Sequence, residues 1–414
     1  MSRIKDPALA PAGRDKIAWA ASYMPLLADI REHFRRERPL AGLRVAISIH
    51  LEAKTAYFAV ILQEGGARVR ATGCNPLSTQ DDVAAALADS GVEVFAVHGA
   101  TETEYREDLR AALACRPQLF IDDGGDFTQL LHEDCRSYGA ELIGGCEETT
   151  TGITRLKARE QDGSLRFPMI AVNDADCKHL FDNRYGTGQS TLTALMAVTN
   201  VSVASRVVVV AGYGWCGRGI AAKARGMGGR VIVTEIDPVK AIEAVMDGFA
   251  VMTMDEAAAL GDIFITATGC CDVIAARHLL QMKDGAILAN SGHFDVEISK
   301  PDLARISRRV MQRKPDILGF ELEDGRVLNL LAEGRLVNLA AGMGHAADIM
   351  DMSFAIQARC LAYLARHGRA LQPRLYPVPR EIDAAVAQAK LKTLGAAIDT
   401  LTPEQEKYYR GAGK

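Results

Sequence analysis

An apolar, β-branched run, Arg206–Ala211, opens into Gly212-Tyr213-Gly214-Trp215-Cys216-Gly217, and this junction constrains the fold more than any other stretch of the chain. A strand that runs into G-x-G-x-x-G and then a helix lets backbone N–H groups and a helix N-terminus approach a pyrophosphate. The loop and first helical turn, Gly212, Gly214, Trp215, Cys216, Gly217, Arg218 and Gly219, are therefore candidate dinucleotide contacts. A second strand pattern, Arg230–Thr234, ends at Glu235, where an acidic side chain would take ribose hydroxyls and repel a 2′-phosphate, so the spacing points to NAD rather than NADP. A glycine-rich turn in some other α/β protein is the alternative. The junction lies past the middle of 414 residues, so the front half has a task other than opening a nucleotide fold.

Strand-like runs alternate with helical patterns through both halves. In front these are Arg44–His50, Ala67–Ala71, Val92–His98, Gln118–Asp122 and Glu141–Ile143, with helical stretches such as Thr79–Ala88 and Tyr105–Leu113 between them. Behind are Arg206–Ala211, Arg230–Thr234, Asp262–Ala267, Gly285–Asn290 and Arg335–Leu339. This alternation predicts an α/β protein of two doubly wound, Rossmann-like parallel sheets. A hinge is expected between Asn183 and Thr191, where Tyr-Gly-Thr-Gly-Gln-Ser interrupts the pattern. Beyond His345 the chain reads as a helical segment through His367, breaks at Pro373, Pro377 and Pro379, and resumes as a helix over Arg380–Ile398.

Composition excludes more than it names. A net charge of −4 spread along the chain offers no basic face for nucleic acid. No apolar run approaches the ~18 residues that span a bilayer, so no membrane association is expected and a cytoplasmic protein is the default. Nine cysteines at scattered spacings, Cys270 and Cys271 adjacent, form neither a disulfide framework nor a zinc-ligand pattern, and no metal is expected.

Ligands of an open parallel sheet sit beyond the carboxyl ends of its strands. In the front half those positions are His50, Cys74 with Asn75, Asp122-Asp123-Gly124-Gly125-Asp126 and Glu147-Glu148-Thr149-Thr150-Thr151-Gly152. Turn and capping chemistry explains any one of them; four converging on one edge ask for a hydroxyl-rich or cationic ligand.

These motifs, together with Lys178 and Asp182-Asn183, Gly292-His293-Phe294-Asp295, Asn338 and Gly344-His345, stand in the order found in the adenosylhomocysteinase (S-adenosyl-L-homocysteine hydrolase) family, which the chain resembles over essentially its whole length. The resemblance implies a tightly bound NAD that oxidises the 3′-hydroxyl of a nucleoside thioether, acidifies C4′, and recovers its hydride after homocysteine leaves and water adds at C5′. It implies a substrate-binding domain over 1–184, an NAD-binding domain over 185–345, helices over 346–398 that return to the substrate domain, a tail over 399–414, and a homotetramer. Asp123 resembles the base for the C4′ proton. Lys178 matches the lysine that assists removal of the 3′-hydroxyl proton, for which a depressed pKa would serve. Glu148 and Asp182 resemble the carboxylates on the sugar hydroxyls, and His50 and His293 the histidines that handle the leaving thiolate and the water, a task for imidazoles near neutrality. Asp182 is grouped with the catalytic set. Thr149, Thr150, Thr151, Asn183, Ser291, Gly292, His293, Asn338 and His345 resemble contacts of the cofactor, and His345 also approaches homocysteine.

The chain departs from many family members at several positions. Glu52 and Lys54 replace Thr and Glu against the adenine edge, which inverts the polarity there and suits hypoxanthine, an S-inosyl substrate; pairing with solvent or with Gln80, itself a candidate substrate contact, is the bland alternative. Thr187 stands where many members have a cysteine, and Lys240 where an asparagine contacts the cofactor ribose. The chain resembles the shorter branch of the family, for which no C-terminal segment with Lys and Tyr reaching a neighbour's cofactor is expected. An ordinary NAD-dependent dehydrogenase and a non-catalytic NAD-binding regulator remain as other readings of the same layout.

Overall fold

The computed structural model describes residues 2–411. Strands β1 (Arg44–Ser48), β2 (Arg68–Thr72), β3 (Glu93–Phe95), β4 (Leu119–Asp122), β5 (Gly144–Glu147) and β6 (Met169–Ala171) come from the front half. The rear half supplies β7 (Val207–Ala211), β8 (Arg230–Thr234), β9 (Ala250–Val251), β10 (Ile263–Thr266), β11 (Ile287–Asn290), β12 (Ser307–Lys314), β13 (Ile317–Leu322) and β14 (Val327–Leu331), and β15 (Leu375–Pro377) follows near the C-terminus. The first sheet has the order β15-β6-β5-β4-β1-β2-β3, all parallel. The second has the order β12-β13-β14-β11-β10-β7-β8-β9 and is parallel except where β13 pairs antiparallel with β12 and β14.

Both sheets are covered by helices, so their central strands are buried on both faces and read as unbroken apolar runs, Val207–Ala211 above all. In each sheet the strand order reverses beside the first strand of the unit, β1 or β7, and crevices open there beyond the carboxyl ends. The helix Ala347–His367 shares the core of the first sheet: Phe354 stacks on Phe58 at 4.9 Å between ring centres. Each such buried ring contributes about 1.5–3 kcal/mol relative to exposure. Asp351 on the same helix accepts from the backbone N–H groups of Leu26 and Leu27, closing the N-terminus of the helix Pro25–Glu37.

Several expectations need correction. Strand β5 runs over Gly144–Glu147 rather than Glu141–Ile143; a side chain at Gly145 would meet the Phe120 ring at 2.6 Å, so glycine is there for close packing. Arg335–Leu339 is not a strand. β14 fills the place beside β11, and left-handed Glu333 and Gly334 then turn the chain into the short helix Val337–Ala340. The β12–β13 hairpin leaves no apolar alternation to read, because β12 is exposed nearly throughout and half of its residues are charged.

The stretch Asn183–Thr191, where the hinge is expected, is helical throughout. A π-helical turn, His179–Gly186, leads directly into the helix Thr187–Thr199. The glycines that suggested an interruption are close-approach positions: a Cβ at Gly188 would lie 2.5 Å from Gly219 backbone, and one at Gly186 2.9 Å from the His345 ring. The last long helix stops at Thr393 rather than Ile398, with left-handed Gly395 beyond its cap. In the tail, Pro403–Tyr409 is helical, and residues 412–414 lie outside the described residues.

Candidate active site

Residues from both sheets line one cavity of about 1670 Å³. On the first sheet, β4 ends in Asp122, whose carboxylate accepts from Phe127 N–H (3.2 Å) and Thr128 N–H (2.7 Å) and caps the helix Asp126–His132. Gly124 and Gly125 follow with φ of +104° and +88°, a turn that other residues adopt only under strain and that leaves Asp123 facing the cavity. Glu147, at the end of β5, accepts from Gly124 N–H (3.0 Å) and Thr149 N–H (2.9 Å), tying the two rims together. Asp126 is turned away, toward Tyr105 and Arg155.

Asp123 lies between two imidazoles, 3.7 Å from His50 Nε2 and 3.7 Å from His293 Nδ1, and accepts from Cys74 Sγ at 3.3 Å. His293 arrives from the second sheet, just beyond β11. Burial raises the Asp123 pKa, with His293 opposing the rise. Burial lowers that of His50 to about 3, with His345 adding to the effect, and lowers that of His293 against the pull of Asp123. Burial thus works against the imidazolium form of both histidines. Ser78 donates to the Asn75 carbonyl (2.9 Å), so its oxygen accepts from His50 Nδ1 (2.7 Å) and the Nε2 lone pair faces Asp123.

Lys178 Nζ stands 3.1 Å from Asp182 and 3.4 Å from Glu148, and donates to Asn183 Oδ1 at 2.7 Å. Burial works against its charge, but Asp182 and Glu148 outweigh burial and raise its pKa. The expected depressed lysine is thus an ammonium clamped by two carboxylates. Asp182 is held well below the carboxylate range: burial opposes this, and Lys178 and His345 override it. Glu148 is pushed up to about 7 by burial, Lys178 opposing, and its Oε1 has no hydrogen bond among the described residues. The π-helical turn widens the helix at Asp182 and Asn183, placing both on the cavity wall with Lys178.

Two further side chains, unread in the sequence, complete this group from the helix Ala347–His367. Ser353 donates to Asp182 Oδ2 (2.7 Å), and Gln357 Nε2 donates to Glu148 Oε2 (2.5 Å). They stand four residues apart, and their polarity on a buried helix face was the available signal. His345 Nδ1 bonds Asp182, and its Nε2 lies 3.3 Å from Thr187 Oγ1.

The second sheet offers the dinucleotide cradle. Gly212 adopts φ +95°, and open space lies where a Cβ on Gly214 would stand, at the N-terminus of the helix Trp215–Gly226. A Cβ on Gly217 would meet Gly212 O at 1.9 Å, and one on Gly219 would meet Arg184 O at 1.8 Å. Gly217 and Gly219 therefore serve backbone packing rather than the cavity wall expected of them. Trp215, Cys216 and Arg218 line the cavity, Arg218 lying over the Trp215 ring at 4.5 Å. Glu235 sits beyond β8, accepting from Tyr213 N–H (2.6 Å) and Ile236 N–H (2.7 Å), and Lys240 pairs with Asp237 at 3.5 Å. Thr149, Thr150, Thr151, Asn183, Ser291, Gly292 and His293 line the continuation toward the first sheet. Asn338 is buried nearby, donating to Ser190, with its Oδ1 unpartnered among the described residues. Open space at a helix N-terminus, an acidic strand end and an unmatched amide oxygen fit a dinucleotide ending in a carboxamide.

Glu52 and Lys54 both line the cavity and pair with each other at 2.7 Å. Glu52 is the N-cap of the helix Ala53–Glu64, outside helical geometry, so its side chain folds back onto the first turn and meets Lys54 despite the two-residue spacing. Gln80, expected as a substrate contact, is not on the wall: it precedes the helix Asp81–Asp89 and meets Lys16 at 3.4 Å.

An acid flanked by two buried imidazoles, one from each sheet, beside a glycine-loop cradle in the same cavity defines an NAD-dependent enzyme of the two-sheet α/β class. Comparison with known families makes that specific. Residues 1–143 match the family model described as S-adenosyl-L-homocysteine hydrolase, and residues 183–344 match its NAD binding domain. An adenosylhomocysteinase of Pyrococcus abyssi is 54% identical over 98% of this chain and 96% of its own. One from Thermotoga maritima is 54% identical over 96% of this chain and 98% of its own. An S-inosyl-L-homocysteine hydrolase of Methanopyrus kandleri is 53% identical over 98% and 96%. The chain belongs to the S-adenosyl-L-homocysteine hydrolase family.

Proposed function

We propose that this enzyme reversibly cleaves the thioether of S-adenosyl-L-homocysteine to adenosine and L-homocysteine. The observation that carries the proposal is Asp123, set between two buried imidazoles in the cavity where Lys178 is clamped by Glu148 and Asp182. NAD, when bound, supplies the temporary oxidation of the 3′-hydroxyl and its reversal.

Glu148 and Asp182 accept from the ribose hydroxyls. Lys178, an ammonium at rest, takes up the 3′-hydroxyl proton only after passing one on. Glu148, near 7 and 3.4 Å away, is the neighbour able to receive it. With the 3′ carbon a carbonyl, Asp123 removes the C4′ proton. Burial works against the imidazolium form of both histidines, so the proton on Asp123 serves the departing thiolate. His50 Nε2, its tautomer fixed through Ser78, accepts from the water that adds at C5′ and relays that proton through Asp123 to C4′. Thr149, Thr150, Thr151, Asn183, Asn338 and the Gly212–Gly214 loop hold the cofactor. Residues 1–184 with 346–398 form the substrate side and 185–345 the NAD side.

Release of homocysteine thiol, with no stoichiometric NADH in solution, is the expected outcome. Loss of release in Asp123→Asn supports the base, and undiminished release in that variant overturns it.

The Glu52–Lys54 pair supports a second reading, S-inosyl-L-homocysteine as substrate. Glu52 accepts from hypoxanthine N1–H and Lys54 donates to O6. Comparing kcat/KM for the two thioethers separates the readings, because groups left unpaired by the wrong base discriminate by up to ~10⁴-fold. A preference for the adenosyl compound ends the second reading.

A further inference from the structure

Cys74 has no part in the chemistry above, yet its thiol points at the general base. The ligand atoms of His50, Cys74 and Asp123 all lie within 4.8 Å of one another, and all three residues are buried. Two of the three separations are 3.3 Å, from Cys74 Sγ to Asp123 Oδ2, and 3.7 Å, from His50 Nε2 to the same oxygen. Ligand atoms on a tetrahedral zinc ion, with bonds of about 2.0–2.3 Å, stand roughly 3.3–3.7 Å apart. Those two edges already have that length.

We propose that His50, Cys74 and Asp123 form a binding site for a soft divalent cation of the zinc and cadmium class, with the fourth position open to the cavity. The donor set is one imidazole, one thiolate and one carboxylate, the ligand types such ions take. His50 is prepared for the role: Ser78 accepts from Nδ1–H, which fixes the tautomer with the Nε2 lone pair directed inward, as an outer partner does for a metal-bound histidine. Cys74 is fixed as well, since Tyr105 Oη donates to its carbonyl at 3.0 Å. On binding, the metal–sulfur bond replaces the S–H bond and the thiol proton leaves to solvent, so affinity rises with pH and no redox partner is needed.

The binding claim stands on this geometry alone. Its consequence rests on the proposed function: a cation on Asp123 and His50 removes the base and the water-activating nitrogen together, so the metal is a reversible inhibitor.

The test is cadmium titration of the holoenzyme carrying Cys270→Ser and Cys271→Ser, which removes the adjacent exposed thiols. The readout is the ultraviolet sulfur-to-cadmium charge-transfer band. One equivalent should bind with the band and with release of a proton. Cys74→Ser should abolish the band and weaken binding by roughly tenfold or more, at least the loss seen on removing a metal ligand's outer partner. Cys74→Ala serves if the serine variant fails to fold, and adenosine protection of the unsubstituted site is read in parallel. An unchanged band in the folded Cys74 variants overturns the site. A Cys74-dependent band with turnover unaffected, measured by chromatographic loss of the thioether, leaves the site standing and removes Asp123 and His50 from the proposed mechanism.

Discussion

Replacing Gly124 by alanine tests how closely the base and the histidine beyond β11 depend on each other. A Cβ at this position would lie 2.0 Å from His293 Nε2, where ordinary contact begins near 3.4 Å, so the ring must retreat by roughly 1.4 Å, the difference of the two. Misplacement by about 1 Å near reacting atoms costs ~10²-fold in rate, so kcat should fall by about two orders of magnitude, ~2.7 kcal/mol of activation free energy. The φ of +104° adds a separate folding penalty of about 1–3 kcal/mol. Gly163→Ala is the control, because Gly163 has φ +73° and nothing within 4 Å of its Cβ, so it carries the strain without the clash. Thiol release gives the rate and thermal unfolding gives the stability. Similar losses of melting temperature in both variants, with the rate loss confined to Gly124→Ala, are expected. A Gly124→Ala enzyme within about threefold of wild-type kcat would refute a role that depends on the position of His293.

Glu148 has its pKa raised on folding from 4.5 to about 7, so folding opposes its ionisation: the associated stability is full below 4.5 and lost as pH rises through about 7. Glu148→Gln should therefore gain melting temperature over wild type at mildly alkaline pH and lose that advantage in acid. His50 runs the other way. Its pKa falls from 6.5 to about 3, so stability present above 6.5 is lost as pH drops toward 3, and His50→Asn should soften that acid limb in thermal melts. Gln357→Leu removes a bond that lowers the Glu148 pKa, so the Glu148 limb of the kcat/KM profile should move to higher pH; an unmoved limb counts against that limb belonging to Glu148. Asp351→Ala strips two backbone N–H groups of their acceptor and should cost about 1–3 kcal/mol in unfolding experiments, with KM unchanged.

What was legible in the sequence follows from range. The glycine loop, β8 and Glu235 are contiguous and local, so spacing alone placed them at one strand-end crevice. The acidic turn after β4 was legible for the same reason, since its polar residues have no apolar face to join. Lys178 was legible as a position but not as a charge state, because its ammonium depends on Glu148, thirty residues away, as well as on nearby Asp182. Glycine carried two meanings that local reading merges: at Gly124 it permits a left-handed turn, whereas at Gly145 and Gly188 it admits a neighbour. Gln80 failed because its closeness to Glu52 and Lys54 was assumed from chemistry alone. Ser353 and Gln357 were missed because nothing local links the helix Ala347–His367 to carboxylates about two hundred residues earlier.

That reach across the chain sets an order of assembly. The strands of the second sheet all lie between residues 207 and 331, whereas the first sheet waits for Leu375–Pro377 to add its edge and for Ser353 and Gln357 to brace its two carboxylates. During synthesis the cradle for the dinucleotide is encoded in full while the sugar-holding group still lacks its braces. A ribosome that stalls between these points yields a polypeptide with a nucleotide fold and no finished place for the nucleoside.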